Sequence, residues 1–163
     1  MATKYLGAQP TGGLYIWKDN KVSPYPWKDM GTAILVGVPG AYTPTCTDDH
    51  LGGFVEAIKE GQFTDLNIVF FSTNDVMVMD EWNKAHGHSK IISASDDMFG
   101  NEGNPADPVC KALGETVDFG ETFGLRVQRC AFLVEDGEVT HKFIDPFVNG
   151  LKLELEELNS SSL

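Results

Sequence analysis

Three strand-length segments predict the strands of a central sheet, and the first of them is a continuous apolar run. They cover residues 32–38 (TAILVGV), 66–73 (LNIVFFST) and 90–95 (KIISAS). An uninterrupted apolar run of this length is typical of a strand that is covered on both faces. We therefore expect these three segments to lie in the interior of the sheet.

Helical spacing of apolar positions follows the first and second runs. After Cys46, a helix that ends near Gly61 is predicted by the apolar residues Leu51, Phe54, Val55 and Ile58. After the second run, Asn74 and Asp75 are suitable caps for a helix whose apolar positions are Val78, Trp82 and Ala85. Strands therefore alternate with helices along this part of the chain.

Turn signals predict hairpins near both ends of the sequence. An N-terminal hairpin is predicted by residues 12–17 (GGLYIW) and 22–27 (VSPYPW) around a polar turn. The stretch 129–144 predicts strand, tight turn at Asp136 and Gly137, and strand. Between them, residues 100–115 indicate a loop and a short helix that begins near Asp107 and Pro108. The tail 149–158 fits an amphipathic helix, although its alternation also permits a strand.

These elements together predict the fold class. Alternating strands and helices with a late antiparallel hairpin indicate an α/β protein with a mixed central β-sheet flanked by helices. The length, 163 residues, suits one domain over residues 1–163 that buries a core without disulfides or metal.

Charge and composition narrow the possible partners. The chain has 12 basic and 24 acidic residues, a net charge of −12, which disfavours nucleic acid and anionic membrane surfaces as partners. No apolar run approaches the ~20 residues of a membrane span. The segment MATKYLGAQ shows no import signal, so we expect an intracellular, reducing location in the cytoplasm.

Cysteine and histidine counts argue against a disulfide framework and a metal site. The three cysteines are Cys46, Cys110 and Cys130, an odd number without C-x-x-C spacing. The four histidines form no tetrahedral zinc pattern with them, so no metal and no cofactor is expected.

Cys46 stands between a Pro-Gly loop and the start of a helix, a position that favours a reactive thiolate. Unpaired N–H groups and the helix dipole stabilise negative charge there. We expect Asp48 and Asp49 to face solvent. His50 shares the helical face of Cys46, and we favour a structural role for His50 over a role in the site. Thr43 replaces the second sulfur of a dithiol with a hydroxyl.

These residues resemble the peroxiredoxin family. Pro39, Thr43 and Cys46 match its P-x-x-x-T-x-x-C motif, and the run GVPGAYTPTCTDDHL resembles the subfamily of the fifth mammalian peroxiredoxin, called type II in plants. The segments 72–87 and 124–139 extend the similarity to roughly residues 30–145. The resemblance implies a thioredoxin-like fold and a thiol-dependent peroxidase.

The resemblance also implies roles for individual residues. Cys46 would attack hydrogen peroxide or an alkyl hydroperoxide, and Arg129 would stabilise the thiolate and the leaving oxygen. Thr43 and the backbone N–H of Cys46 would complete the set of donors, while Pro39 and Gly40 would shape the loop as supporting residues. Arg126 is the nearby competitor for the role of the arginine.

The reduction of the oxidised cysteine is where the sequence departs from the family. The two positions at which relatives carry a resolving cysteine, which reacts with the sulfenic acid, hold Leu153 and Phe70 here. Cys110 is the alternative resolving cysteine, and we expect Cys130 to pack into the core. We therefore expect a one-cysteine cycle with an external thiol, glutathione with glutaredoxin or thioredoxin. The family suggests a homodimer, and the competing interpretation is a peroxide-sensing or chaperone-like binding protein on the same fold.

A second departure is the Gly52–Gly53 pair, where relatives have Pro-Gly. Two glycines inside a helix cost about 1 kcal/mol each relative to alanine. They could keep a bend, ease opening of the Cys46 turn, or permit a close contact between helix and sheet.

Overall fold

A computed structural model describes residues 4–8, 10, 12–96 and 108–161, and its strands follow the apolar runs of the sequence. The strands of this part of the chain are β1 (Lys4–Ala8), β2 (Leu14–Lys18), β3 (Lys21–Tyr25), β4 (Ala33–Gly37), β5 (Asn67–Ser72), β6 (Ile91–Asp96), β7 (Thr116–Asp118), β8 (Leu125–Val127), β9 (Cys130–Glu135) and β10 (Glu138–Lys142). The three predicted buried strands are confirmed as β4, β5 and β6. The two predicted hairpins are confirmed as β2–β3 and β9–β10.

Helices occupy the connections between the strands. They are α1 (Gly52–Lys59), α2 (Val76–His86), α3 (Val109–Ala112) and α4 (Val148–Ser161), together with a 3-10 helix at Trp27–Met30 and a π-helix at Thr45–Leu51. The tail is therefore a helix and not a strand. The short helix predicted near Pro108 is α3, whereas the loop predicted before it lies largely outside the described residues. None of the helices in the described ranges has the length and apolar character that crossing a membrane requires.

The main sheet is mixed, as predicted. Its strand order is β1-β10-β9-β4-β5-β6-β2-β3, in which β4, β5 and β6 are parallel and the other neighbours are antiparallel. Parallel strands end at the same edge of a sheet, so the loops after β4 and β5 are neighbours. This edge carries Cys46.

The central strands alternate their side chains between two cores. On one face Ile34 and Val36 pack with helices α1, α2 and α4. On the other face Ala33 and Leu35 pack with α3 and with Trp27. Period-two alternation on a sheet covered on both sides explains why the strand sequences are apolar throughout.

Several elements differ from the prediction. The helix after Cys46 begins with a π-helical turn, and the ribbon β7–β8 and the edge strand β1 were not predicted. Helix α2 buries Trp82 as predicted, but the residues buried with it are Val76 and Met79. The prediction had named Val78 and Ala85 instead. Both triplets have helical spacing and share Trp82, so packing against the core selects between them. Asp75, whose side chain accepts the N–H of Val78, is the cap.

Candidate active site

Cys46 lies in the first turn of the π-helix, directly after the loop that leaves β4. Its side chain is 1% exposed, while Asp48 and Asp49 on the same turn are exposed to solvent. The N–H of Thr47 donates to the carbonyl oxygen of Thr43 and ties the loop to the helix start. A buried sulfur at a helix N-terminus, with the nearby carboxylates turned outward, suits a thiolate.

Asn74 holds the loop in place from the neighbouring strand. Its Oδ1 accepts the N–H of Ala41 at 2.9 Å and the hydroxyl of Ser72 at 2.7 Å. The Thr43 hydroxyl donates to the carbonyl oxygen of Gly40 at 2.7 Å. Sequence reasoning assigned Asn74 only to a helix cap. Its position at the carboxyl end of β5, beside the end of β4, is the signal that could have placed it near the site.

Arg129 contacts the sulfur directly. It stands immediately before β9, and its Nη2 donates to Cys46 Sγ at 2.9 Å. A guanidinium at this distance presents a positive charge and a directed N–H to the sulfur. The structure thus brings together residues 83 positions apart in the sequence.

His50 completes the support of Arg129. Its Nδ1 accepts from Arg129 Nη1 at 2.7 Å, and its Nε2 lies 2.7 Å from the carbonyl oxygen of Pro146. Burial, with a smaller contribution from the charge of Arg129, lowers the pKa of His50 to about 4, although the Pro146 contact opposes this. The imidazole is therefore neutral at pH 7, with its proton on Nε2.

The loop before α4 packs beneath this pair. The ring of Phe147 lies 4.7 Å from the ring of His50 and 5.5 Å from Arg129 Cζ. The buried carboxylate of Glu154 accepts the N–H groups of Ile144 and Asp145. These contacts connect the last helix to the arginine, and sequence reasoning missed Phe147 and Glu154 because the ring and the carboxylate meet the site only through tertiary packing.

A pocket of about 370 Å³ opens onto the sulfur. Residues that line it include the predicted site residues Pro39, Gly40, Thr43, Cys46 and Arg129, together with Asn74, Phe119, Phe123 and Arg126. A larger hollow of about 770 Å³ elsewhere in the described chain is lined by no cysteine. The chemistry of the molecule therefore points to the smaller pocket.

Cys110 and Cys130 are not brought to Cys46. Both pack in the core on the opposite face of the sheet, where Cys130 was expected to be buried. Burial raises the pKa of each thiol, and Asp96 beside Cys110 and Glu115 beside Cys130 raise it further. A resolving role for Cys110 stays a prediction, and within one chain it would require a thiol to reach around the sheet.

The two glycines after the π-helix have different surroundings. A Cβ on Gly53 would lie 3.2 Å from Val148 Cγ1, and one on Gly52 would lie 3.4 Å from the carbonyl oxygen of Thr47. The close approach at Gly53 is therefore to helix α4 and not to the sheet.

In the described ranges, no group of three or more histidine, cysteine or acidic residues is arranged to hold a metal ion.

Comparison with known proteins assigns the chain to a family. Residues 20–160 match the Redoxin family model. A Synechocystis peroxiredoxin is 31% identical over 76% of this chain and 67% of its own length. Peroxiredoxin-2B of Arabidopsis thaliana is 36% identical over 66% of this chain and 63% of its own length.

Structural comparison agrees with the sequence match. The crystal structure of reduced Prx3 from Vibrio vulnificus in complex with H2O2 has a TM-score of 0.71 and 27% identity, and the alignment covers 86% of this chain and 87% of that one. The predicted thioredoxin-like fold is confirmed. The chain spans 60–67% of the length of the first curated relatives that it matches, and type II peroxiredoxins of plants are among them. It belongs to the Redoxin family and, within it, to the peroxiredoxins.

Proposed function

We propose that this protein reduces hydrogen peroxide and alkyl hydroperoxides through Cys46. The contact that carries the proposal is the 2.9 Å hydrogen bond from Arg129 Nη2 to Cys46 Sγ, in a pocket shared with Thr43. A buried sulfur that receives a guanidinium N–H has the charge and the orientation of an activated nucleophile.

The first step transfers an oxygen atom from the peroxide to the sulfur. The thiolate of Cys46 attacks the terminal oxygen of ROOH, an S–O bond forms and the O–O bond breaks. The hydroxyl group transferred from the peroxide makes Cys46 a sulfenic acid, and the leaving alkoxide takes from solvent the proton that the thiol released when it ionised and departs as ROH. Arg129 supplies N–H groups to the oxygens as negative charge moves to the leaving one.

Thr43 contributes an acceptor in this arrangement, rather than the donor that the family resemblance implied. A carbonyl oxygen only accepts, so the 2.7 Å contact with Gly40 uses the hydroxyl proton of Thr43. The lone pairs of Thr43 Oγ1 are then available for the O–H of the peroxide. Pro39 and Gly40 shape the wall that covers the sulfur.

We propose a one-cysteine cycle for the return to the thiolate. An external thiol condenses with the sulfenic acid, water leaves, and a second thiol reduces the mixed disulfide. The burial of Cys110 and Cys130 on the far face of the sheet supports this cycle. Because Cys46 is 1% exposed, the reductant needs an opening of the first turn, which the glycines at 52 and 53 ease.

Glutathione with glutaredoxin, or thioredoxin, is the proposed reductant, and a homodimer in the cytoplasm is the proposed state. The family resemblance supports the homodimer and a thiol reductant, whereas the proposed location rests on the sequence of the N-terminal segment alone. Light scattering would measure the subunit number, and comparison of the two reducing systems in a coupled assay would identify the reductant.

Intact-mass analysis tests the proposed function. One equivalent of H2O2, with a sulfenic-acid trap present, should add one trap molecule to Cys46, and Cys46→Ser should abolish both the adduct and rapid peroxide consumption. Sustained turnover with a thiol system separates a peroxidase from a protein that is oxidised only once as a sensor. Peroxide consumption by Cys46→Ser at the wild-type rate would refute the mechanism.

A further inference from the structure

Arg126 occupies the same pocket as Arg129 but does not contact the sulfur. Its Nε donates to the carbonyl oxygen of Phe123 at 2.9 Å, and its Nη1 lies 3.4 Å from the carbonyl oxygen of Pro39. The guanidinium also lies over the Phe123 ring, with Cζ 5.8 Å from the centroid. The groups that hold the guanidinium in position are therefore carbonyl oxygens and a ring, and none of these groups carries a negative charge.

No carboxylate among the described residues neutralises Arg126. It takes part in no ion pair there, and neither Asp118 nor Glu121 of the neighbouring ribbon pairs with it. Among the described residues, the lining of the pocket contains two arginines and no acidic side chain, although the whole chain carries a net charge of −12. A cation clustered with another in an acidic protein, and held by carbonyl oxygens and an aromatic ring, provides a local site for an anion.

The rest of the pocket wall beside Arg126 is apolar. Phe119 and Phe123 are 49% and 56% exposed and line the same pocket as Arg126. Two exposed phenylalanines at the mouth of a pocket favour the apolar body of a ligand. Hydrogen peroxide has no such body and no charge, so these residues add nothing to its recognition.

We propose that Arg126 binds the anionic group of organic hydroperoxides that carry a carboxylate, with the apolar part of the substrate on Phe119 and Phe123. This inference rests on the proposed peroxidase function and names a substrate class for it. The carboxylate forms charge-assisted hydrogen bonds with the N–H groups of Arg126 that face the pocket. The oxygen transfer at Cys46 is the balanced step given above, with ROH leaving as a hydroxy acid.

A matched pair of substrates isolates the charge. Cumene hydroperoxide that bears a ring carboxylate and its methyl ester share one reactive group and one apolar body. Stopped-flow fluorescence can follow the oxidation of Cys46, since Trp82 donates to the hydroxyl of Thr47 next to it. The measured quantity is the ratio of kcat/KM for the acid to kcat/KM for the ester, in which any general loss of activity cancels.

The variants separate a charge in the pocket from a charge elsewhere. We expect wild type to prefer the acid, and Arg126→Gln to lower the ratio about tenfold, the usual worth of a hydrogen bond to a charged group. Arg126→Lys keeps the positive charge but loses the bidentate geometry of the guanidinium, so its acid-to-ester ratio should lie between the other two. Lys59→Gln makes the same change in net charge at the exposed end of α1 and should leave the ratio as in wild type.

A binding measurement that needs no peroxidase chemistry completes the test. In the Cys46→Ser background, 4-isopropylbenzoate should bind by calorimetry, and Arg126→Gln should weaken it about tenfold. An unchanged acid-to-ester ratio in Arg126→Gln overturns the inference and leaves the peroxidase intact. Equal binding of 4-isopropylbenzoate by Cys46→Ser and by Cys46→Ser/Arg126→Gln does the same. If no hydroperoxide oxidises Cys46 while the carboxylate still binds through Arg126, the proposed function fails and the anion site stands.

Discussion

His50 accepts a hydrogen bond from Arg129 through Nδ1 at 2.7 Å, and this contact requires a neutral imidazole. The proton is on Nε2, which donates to the carbonyl oxygen of Pro146. Protonation of Nδ1 would turn the acceptor into a donor that faces the guanidinium of Arg129. The arginine that contacts Cys46 therefore depends on a histidine that stays uncharged.

The first prediction is a loss of stability in mild acid. The pKa of His50 is about 4 in the folded protein, whereas the ordinary pKa of a histidine is 6.5. Because the unfolded chain binds the extra proton, the contribution of His50 is present above about pH 6.5 and is lost as the pH falls toward 4. Urea unfolding should show about 3 kcal/mol less stability from this group at the end of that window.

The matched variant for this measurement is His50→Gln. Glutamine can accept from Arg129 and donate to Pro146 but does not titrate, so its stability should change less between pH 7 and pH 4.5. Other histidines and carboxylates titrate in both proteins, and the difference between the two curves reports His50. Parallel curves would show that His50 is not the group responsible.

The second prediction concerns the rate of peroxide reduction. His50→Leu should lower the second-order rate constant for Cys46 oxidation by about tenfold or more, because Arg129 loses a charged-group hydrogen bond that orients it. His50→Gln should restore most of the rate. Iodoacetamide alkylation of Cys46 at pH 7 should slow in His50→Leu and recover in His50→Gln at temperatures where both variants are fully folded, which a change in folding stability alone would not cause. Equal alkylation rates in both variants and wild type would argue against positioning through Arg129.

Local patterns in the sequence predicted much of the fold. The runs that became β4, β5 and β6 are apolar because both faces of each strand are buried, and the turn at Asp136–Gly137 marked the β9–β10 hairpin. The π-helical turn was missed because apolar spacing does not distinguish it from an α-helix. The choice of Met79 over Val78 on α2 depends on the partner surface and not on the period.

The site was predictable only as far as its residues form a motif. Cys46, Thr43 and Pro39 are close in sequence, and the family resemblance supplied Arg129. The contacts that support them join His50 to Arg129 and Pro146, 79 and 96 positions apart. No local pattern contains such pairs, so their roles become visible only when the chain is folded.

The third prediction concerns the two remaining cysteines. The Cys110→Ala/Cys130→Ala protein should keep its peroxide turnover with an external thiol system within about twofold, because both sulfurs lie in the core on the far face of the sheet. Its stability should fall, since each substitution leaves a small void. Loss of turnover together with a Cys46–Cys110 disulfide in the wild-type protein would replace the one-cysteine cycle with a resolving one.

The last prediction links α4 to the reaction. Glu154 is 4% exposed and holds the N–H groups of Ile144 and Asp145, which precede the Pro146 carbonyl that fixes His50. Glu154→Gln keeps the shape but replaces one acceptor with a donor, and should cost about 1–3 kcal/mol in the free energy of unfolding. The displaced loop should also slow Cys46 oxidation at temperatures where the variant is fully folded. Glu156→Gln, exposed on the same helix, is the matched control and should change neither quantity. A destabilised Glu154→Gln protein with the wild-type oxidation rate would show that the hydrogen bonds of Glu154 to residues 144 and 145 serve folding alone.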